Sequence, residues 1–122
     1  DQSGATMYLL ENLRNIGTYL TAVNNNLSAN TQQNYYNLFT FENRRIKSVA
    51  RGTYCNGTNG TISFNNNGTQ YRFSTYEEWN QITNSNGGRY IRQEENSTNV
   101  VINSTANGDN NWFFYPVTLD MP

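Results

Sequence analysis

Asparagine fills 23 of the 122 positions, and no other feature restricts the folding of this chain as severely. Its side chain hydrogen-bonds to nearby backbone and tolerates left-handed geometry, so it ends regular elements and fills turns. Asn, Thr, Ser and Gln together supply 51 residues, while charged residues make up only 14%. Disordered chains are usually charged and poor in aromatics. This chain instead carries 17 Phe, Trp and Tyr residues. Each ring can bury about 150–250 Å². The reading is one folded, hairpin-rich domain over residues 1–122 with a small aromatic core.

Charge and composition narrow the chemistry. Eight Lys plus Arg against nine Asp plus Glu give a net charge of −1. That argues against nucleic acid, whose phosphates need clustered cations. No histidine and a single cysteine exclude the common His/Cys zinc sites and Cys–His or Ser–His–Asp machinery. No cofactor is implied. Cys55, between Tyr54 and Asn56, reads as an unpaired small hydrophobe at a helix-to-strand junction. No run approaches the roughly 20 apolar residues of a membrane helix, and Asp1–Gly4 has no signal-peptide character. A Lys-poor, Asn/Thr-rich surface favours an exported protein, extracellular or on the cell surface. Sequons begin at Asn26, Asn56, Asn59, Asn67, Asn96 and Asn103. Chance alone gives about four in such a composition, so they decide nothing about glycosylation.

Periodicity divides the chain near residue 52. From Met7 to Val23 the apolar residues Leu9, Leu10, Leu13, Ile16, Tyr19, Leu20 and Val23 recur every three or four positions, predicting an amphipathic helix. Ser3 or Thr6 would cap it, Gly17 would weaken it and Asn24–Asn26 would end it. A second helix is predicted from Thr31 to Val49, with Tyr35, Leu38, Phe39, Glu42, Ile46 and Val49 on one stripe. Arg44, Arg45, Lys47 and Arg51 then read as complement to its dipole on a solvated face, the alternative being a docking patch for an acidic partner, and Gly52 as its stop.

Beyond residue 52 the pattern alternates. Thr61–Phe64 and Gln70–Phe73 read as a hairpin around Asn65–Gly68. Ser74 and Glu77 fit a capping box opening one helical turn through Ile82. Strands are predicted at Arg89–Glu94, Val100–Ser104 and Trp112–Leu119. In the last, Phe113, Tyr115, Val117 and Leu119 share a face and Pro116 marks an edge. The expected class is α+β: helical segments in residues 1–52 packed on an antiparallel meander of about five strands in 53–122.

Catalytic candidates are thin. Glu77/Glu78 and Glu94/Glu95 are adjacent pairs, which suits surface carboxylates better than a facing glycosidase pair. The loop Asn107–Asn111 holds one charged oxygen donor group and reads as a turn rather than a calcium site. The chain is expected not to be an enzyme. Aromatics beside amides are the better lead, since rings pack on sugar faces and amides bond hydroxyls. Tyr76, Trp79, Trp112 and Phe114 are the candidate ligand-binding residues; the competing reading makes these rings core.

The segment Tyr35–Gly52, YYNLFTFENRRIKSVARG, resembles the end of the long helix in the larger minor pilins. Gly60–Phe64 with Gln70–Phe73 is similar to the hairpin that follows it, and Gly88–Arg92 to a later strand. About 60 residues carry this resemblance to type IV pilin-like proteins, the minor pilins and type II secretion pseudopilins. It implies a non-enzymatic subunit of a surface or secretion fibre. Its partners would be other pilin-like subunits, packed through the N-terminal helix, with strand loops displayed and an apolar helix upstream. The alternative is a stand-alone carbohydrate-binding or adhesin-like domain whose partner is a glycan.

Overall fold

The computed structural model describes residues 6–118, and they form an all-β fold. Thirteen strands follow in chain order: β1 (Met7–Asn12), β2 (Tyr19–Thr21), β3 (Ser28–Asn30), β4 (Leu38–Glu42), β5 (Arg45–Ser48), β6 (Tyr54–Asn56), β7 (Gly60–Thr61), β8 (Ser63–Asn65), β9 (Tyr71–Thr75), β10 (Asn80–Asn84), β11 (Tyr90–Gln93), β12 (Val100–Asn103) and β13 (Trp112–Val117). Helical geometry is confined to two single 3₁₀ turns, Tyr35–Asn37 and Gly108–Asn110. The α+β expectation is therefore wrong, and neither predicted helix exists among the described residues.

The physical reason lies in strands that are apolar on both faces. In β1, Leu10 is fully buried inward while Leu9 pairs outward with Leu38 of β4. Apolar residues then follow one another without clean alternation, and a short run of this kind cannot be told from a helix by period alone. Ile16, counted on the supposed helical stripe, is 67% exposed in the loop before β2. The supposed basic helix end is a hairpin turn. Asn43 and Arg44 have φ of 53° and 63°, the left-handed pair a two-residue primed turn requires, and Glu42 faces Arg45 across it. Arg51 donates through Nε and Nη2 to the carbonyls of Ala22 and Val23, tying the β2–β3 hairpin to the residues after β5.

The later strands also rearrange. The expected 61–73 hairpin does not pair: β7 joins β12, β8 joins β6, and β9 joins β10. Where a helical turn was expected from Ser74, β9 runs on to Thr75. A tight connection, closed by Tyr76 N–H donating to the Trp79 carbonyl (2.8 Å), then leads into β10. The β11–β12 pair forms as read, from Tyr90↔Asn103 to Gln93↔Val100. The final strand is central. β13 pairs with β1 through six positions and meets β10 at Trp112, leaving Pro116 in the half that β10 does not accompany. Leu119 and the Ser3 cap lie outside the described residues.

All pairings are antiparallel, in the order β7-β12-β11-β10-β13-β1-β4-β5-β6-β8, with β2–β3 added at β1 and β9 at β10. The two ends of that order are halves of one segment, Gly60–Asn65, so the sheet closes on itself around a single core. Leu27 N–H donates to the Ile62 carbonyl at this seam (2.7 Å), and Ala29 N–H to Thr98 (3.0 Å). Inside lie Leu10, Leu20, Phe39, Ile46, Ile82, Ile91, Ile102 and Trp112, all fully buried. Burial of Cys55 among them pushes its thiol pKa up, as it does the Tyr71 hydroxyl, which donates to the Gly57 carbonyl (2.8 Å). Tyr8, Phe41, Phe73 and Phe114 form an aromatic cluster against this core; Phe41 and Phe114 stack at 5.2 Å.

Polar contacts lock the loops to the sheet. Asp109 is fully buried and accepts from Arg92 Nε (2.9 Å) and Nη2 (2.7 Å), a bidentate charged pair. Its carbonyl accepts from Asn12 Nδ2 (2.8 Å). The Asn107–Asn111 loop is thus a turn anchored by an ion pair, and its one carboxylate faces a guanidinium.

Candidate functional site

Strand parity decides which aromatic residues reach the surface. Trp112 is fully buried, its Nε1 donating to the Ile91 carbonyl (2.9 Å), and Phe114 joins the core cluster. Both therefore leave the candidate set. Their neighbours Phe113 and Tyr115 project to the opposite face, since side chains alternate along a strand. Their rings lie 5.6 Å apart. The sequence pattern sets Phe113, Tyr115 and Val117 on one face, as the register does, but it offers Tyr115 and Phe114 together as surface aromatics although they lie on opposite faces.

Around these two rings the outward faces of several strands converge, with Glu11, Tyr19 and Leu38 buried beneath the exposed side chains. Register sets Phe113 opposite Glu11, and Glu11 opposite Tyr19, in one row across β13, β1 and β2. The next row runs Tyr115, Leu9, Leu38 across β13, β1 and β4. Asn80 pairs with Trp112, and Trp79, the residue that leads into β10, enters the sheet at that end of β13. Tyr76 stacks on Trp79, with ring centroids 6.3 Å apart and planes 23° from parallel, and is 47% exposed. Sequence reasoning thus picked out Tyr76 and Trp79, which the fold brings together at the surface.

Amides and one carboxylate punctuate the rings. Gln81 Nε2 donates to Asn111 Oδ1 (3.0 Å), and the Tyr76 hydroxyl reaches Gln81 Oε1 (3.4 Å). Gln33 Nε2 donates to the Tyr19 hydroxyl (2.8 Å). Glu11 Oε2 accepts from Gly17 N–H (2.8 Å), which fixes the carboxylate beneath the rings. Hydrogen bonding to Glu11, then partial burial, then the charges of Glu11, Tyr19 and Glu78 raise the Tyr115 pKa, so it stays a neutral donor. Beyond Tyr115 the face falls into an apolar hollow of about 340 Å³ lined by Leu9, Leu38, Val117, Tyr35, Gln33 and Asn34. Sequence reasoning names Tyr115 among the aromatics of the last strand but misses Glu11, Tyr19, Gln33, Gln81 and Phe113, because their convergence depends on pairings between residues about a hundred positions apart.

The remaining carboxylates with recorded partners are engaged elsewhere. Glu42 accepts from the Tyr54 hydroxyl (2.7 Å) and pairs with Lys47 (3.5 Å), which lowers its pKa, the Tyr54 bond acting most strongly. Glu95 pairs with Arg14 (3.3 Å). Among the described residues no three His, Cys, Asp or Glu side chains gather as a metal cluster. No described helix is long and apolar enough to cross a membrane. Of the sequons, Asn56 and Asn103 lie within β6 and β12, while Asn26, Asn59, Asn67 and Asn96 are exposed in connections.

No family model and no curated protein matches this sequence. Among solved structures the fold is similar to that of the GlcNAcα1-4Gal-releasing endo-β-galactosidase from Clostridium perfringens. The TM-score is 0.80 at 18% identity, over 93% of this chain and 33% of that one. The chain thus spans about a third of that enzyme's length. An all-β neighbour and the absence of a described helix overturn the resemblance to pilin-like proteins, and with it the expected fibre-subunit contacts through an N-terminal helix.

Proposed function

We propose that this chain is a non-catalytic carbohydrate-binding domain of an exported protein, and that its ligand lies across the Tyr76–Trp79–Phe113–Tyr115 face. The observation that carries this reading is the near-parallel Tyr76–Trp79 pair, with further outward rings on β13 and the Gln81 amide beside it, and with Glu11 holding Tyr115 from beneath. Ring faces pack on the C–H surface of a sugar, and the flanking polar groups bond its hydroxyls. The fold similarity to an enzyme named for releasing GlcNAcα1-4Gal makes galactose- and N-acetylglucosamine-containing oligosaccharides the first probes. Anchored carboxylates support the non-catalytic role: Asp109 on Arg92, Glu42 on Lys47 and Tyr54, Glu95 on Arg14. A Lys-poor, Asn/Thr-rich composition supports export.

The test is a glycan array followed by titration of tryptophan fluorescence. Trp112 is sealed in the core, so any ligand-dependent change reports Trp79. Trp79→Ala should weaken binding at least tenfold, about 1.4 kcal/mol or more, as expected for a central aromatic contact. Undiminished affinity in that variant would remove the proposal, and release of free sugar from a bound glycan would overturn its non-catalytic part.

A further inference from the structure

A second concavity lies away from the aromatic face, between the β4–β5 turn, the 66–70 connection and the β10–β11 hairpin. It measures about 440 Å³ and is lined by Arg45, Arg89, Thr58, Thr69, Asn84 and Asn86, with Gly68, Gln70 and Ser85 completing the wall. No carboxylate lines it. We propose that this cleft binds the anionic group of an acidic saccharide, a sulfated or carboxylated sugar, independently of the aromatic platform.

Charge placement is the first argument. The described ion pairs are Arg14–Glu95, Lys47–Glu42 and Arg92–Asp109, and none involves Arg44, Arg45, Arg72 or Arg89. A chain of net charge −1 therefore places in one cleft two guanidiniums that form no ion pair among the described residues, Arg45 with Glu42 across the turn and Arg44 at the margin. Guanidinium offers planar, paired donors that match sulfate and carboxylate oxygens.

Preorganisation is the second. Arg45 Nε donates to the Asn67 carbonyl (2.8 Å), which fixes the fork while its terminal nitrogens remain for a ligand. Arg89 N–H donates to Asn84 Oδ1 (3.0 Å), and Asn84 N–H donates to the Arg89 carbonyl (3.1 Å), so the segment carrying the second cation is clamped. Arg44 Nη2 donates to Gln70 Oε1 (3.3 Å), Gln70 Nε2 to the Asn43 carbonyl (3.0 Å), and Ser85 Oγ to the Gln70 carbonyl (3.1 Å). Gly68 permits the tight wall: φ is +72°, and a Cβ there would stand 2.5 Å from Tyr54 Cβ.

Size and lining argue for a sugar rather than a bare ion. The cleft falls within the ~300–1,000 Å³ of organic-ligand sites. Its amides and hydroxyls supply donors and acceptors that a simple anion leaves unused.

The experiment is a titration of ¹⁵N-labelled protein with a sulfated galactose disaccharide, a galacturonate disaccharide, the neutral parent disaccharide and sodium sulfate. An acidic sugar should shift the amides of Thr69, Ser85 and Arg89 at concentrations where the neutral parent and sodium sulfate do not. The exposed-residue variant Arg89→Gln and the double variant R45Q/R89Q should weaken that response at least fivefold and tenfold, with the Trp79 fluorescence response to neutral glycan unchanged. Equal shifts from sodium sulfate would reduce the cleft to a plain anion site and overturn the saccharide assignment. Unchanged affinity in Arg89→Gln, or no shift at the cleft amides with either acidic sugar, would overturn the site altogether. Trp79→Ala separates the two sites, since it should silence the platform and leave the cleft intact.

Discussion

Replacing Phe113 or Phe114 with alanine separates fold from site across one peptide bond. Both rings are half-buried, so exposure alone does not distinguish them. Their neighbours do. Phe114 packs on the core and meets Phe41 at 5.2 Å, Tyr8 at 6.2 Å and Phe73 at 6.3 Å. Fully burying a Phe side chain contributes about 1.5–3 kcal/mol, the partial burial of Phe114 gives the lower part of that range, and overlapping ring contacts add roughly another 1. Phe114→Ala should therefore cost about 3 kcal/mol, the low end for Phe-to-Ala changes in cores. For a domain of this size that is a loss of roughly 10–15 °C in Tm. Phe113 has one recorded ring partner, Tyr115, and its loss should cost at most about 1 kcal/mol while weakening glycan binding severalfold. Urea denaturation and fluorescence titration of both variants give the answer. Equal destabilisation, or a reversal in which Phe113→Ala unfolds the domain, would mean that the strand faces are assigned the wrong way round.

Two further outcomes follow from buried groups. Asp109→Asn preserves shape but strands the Arg92 charge, whose side chain is 10% exposed. Chemical denaturation should show a loss of about 3–5 kcal/mol, and the double variant R92L/D109L should recover much of it. The Cys55 pKa is raised by burial, so its contribution is fully present below the unfolded thiol value of about 8.5 and declines as pH rises above it. Stability should fall with pH above that point, by up to about 1.4 kcal/mol per unit from this one group, and Cys55→Ala should flatten the early part of the slope. Below that range the native thiol should resist alkylation until the domain unfolds.

Some of this molecule is legible in its sequence, and the physics says which parts. The β11–β12 pairing was readable because Tyr90–Gln93 and Val100–Asn103 are neighbours joined by a short polar turn. Tyr76 and Trp79 were readable as binding candidates because a local turn stacks them. The first half was misread because Leu9 and Leu10 both find apolar cover, one on each side of the sheet, which imitates a helical stripe. Asn43–Arg44 looked like a cationic helix end because the left-handed preference of Asn was given less weight than the charges beside it. Strand β13 was located correctly, yet five aromatic or apolar residues and a proline in six leave its parity undetermined. One residue of parity sends every side chain to the other face. Only the cross-strand partners Leu10 and Asn12, distant in sequence, settle it.

The long reach between β1 and β13 has a kinetic consequence. Met7–Asn12 waits for Trp112–Val117 before six of its register positions are satisfied. During synthesis β2 and β4 can take their positions along β1 early, but its other edge stays open until residues 112–117 have been made. Loop-closure entropy falls due before that contact forms, which places folding in the millisecond-to-second regime of non-local β topologies. The polar, asparagine-laden connections keep the waiting chain hydrated in the meantime, and a stop anywhere before residue 112 leaves that strand looking for a stranger's edge.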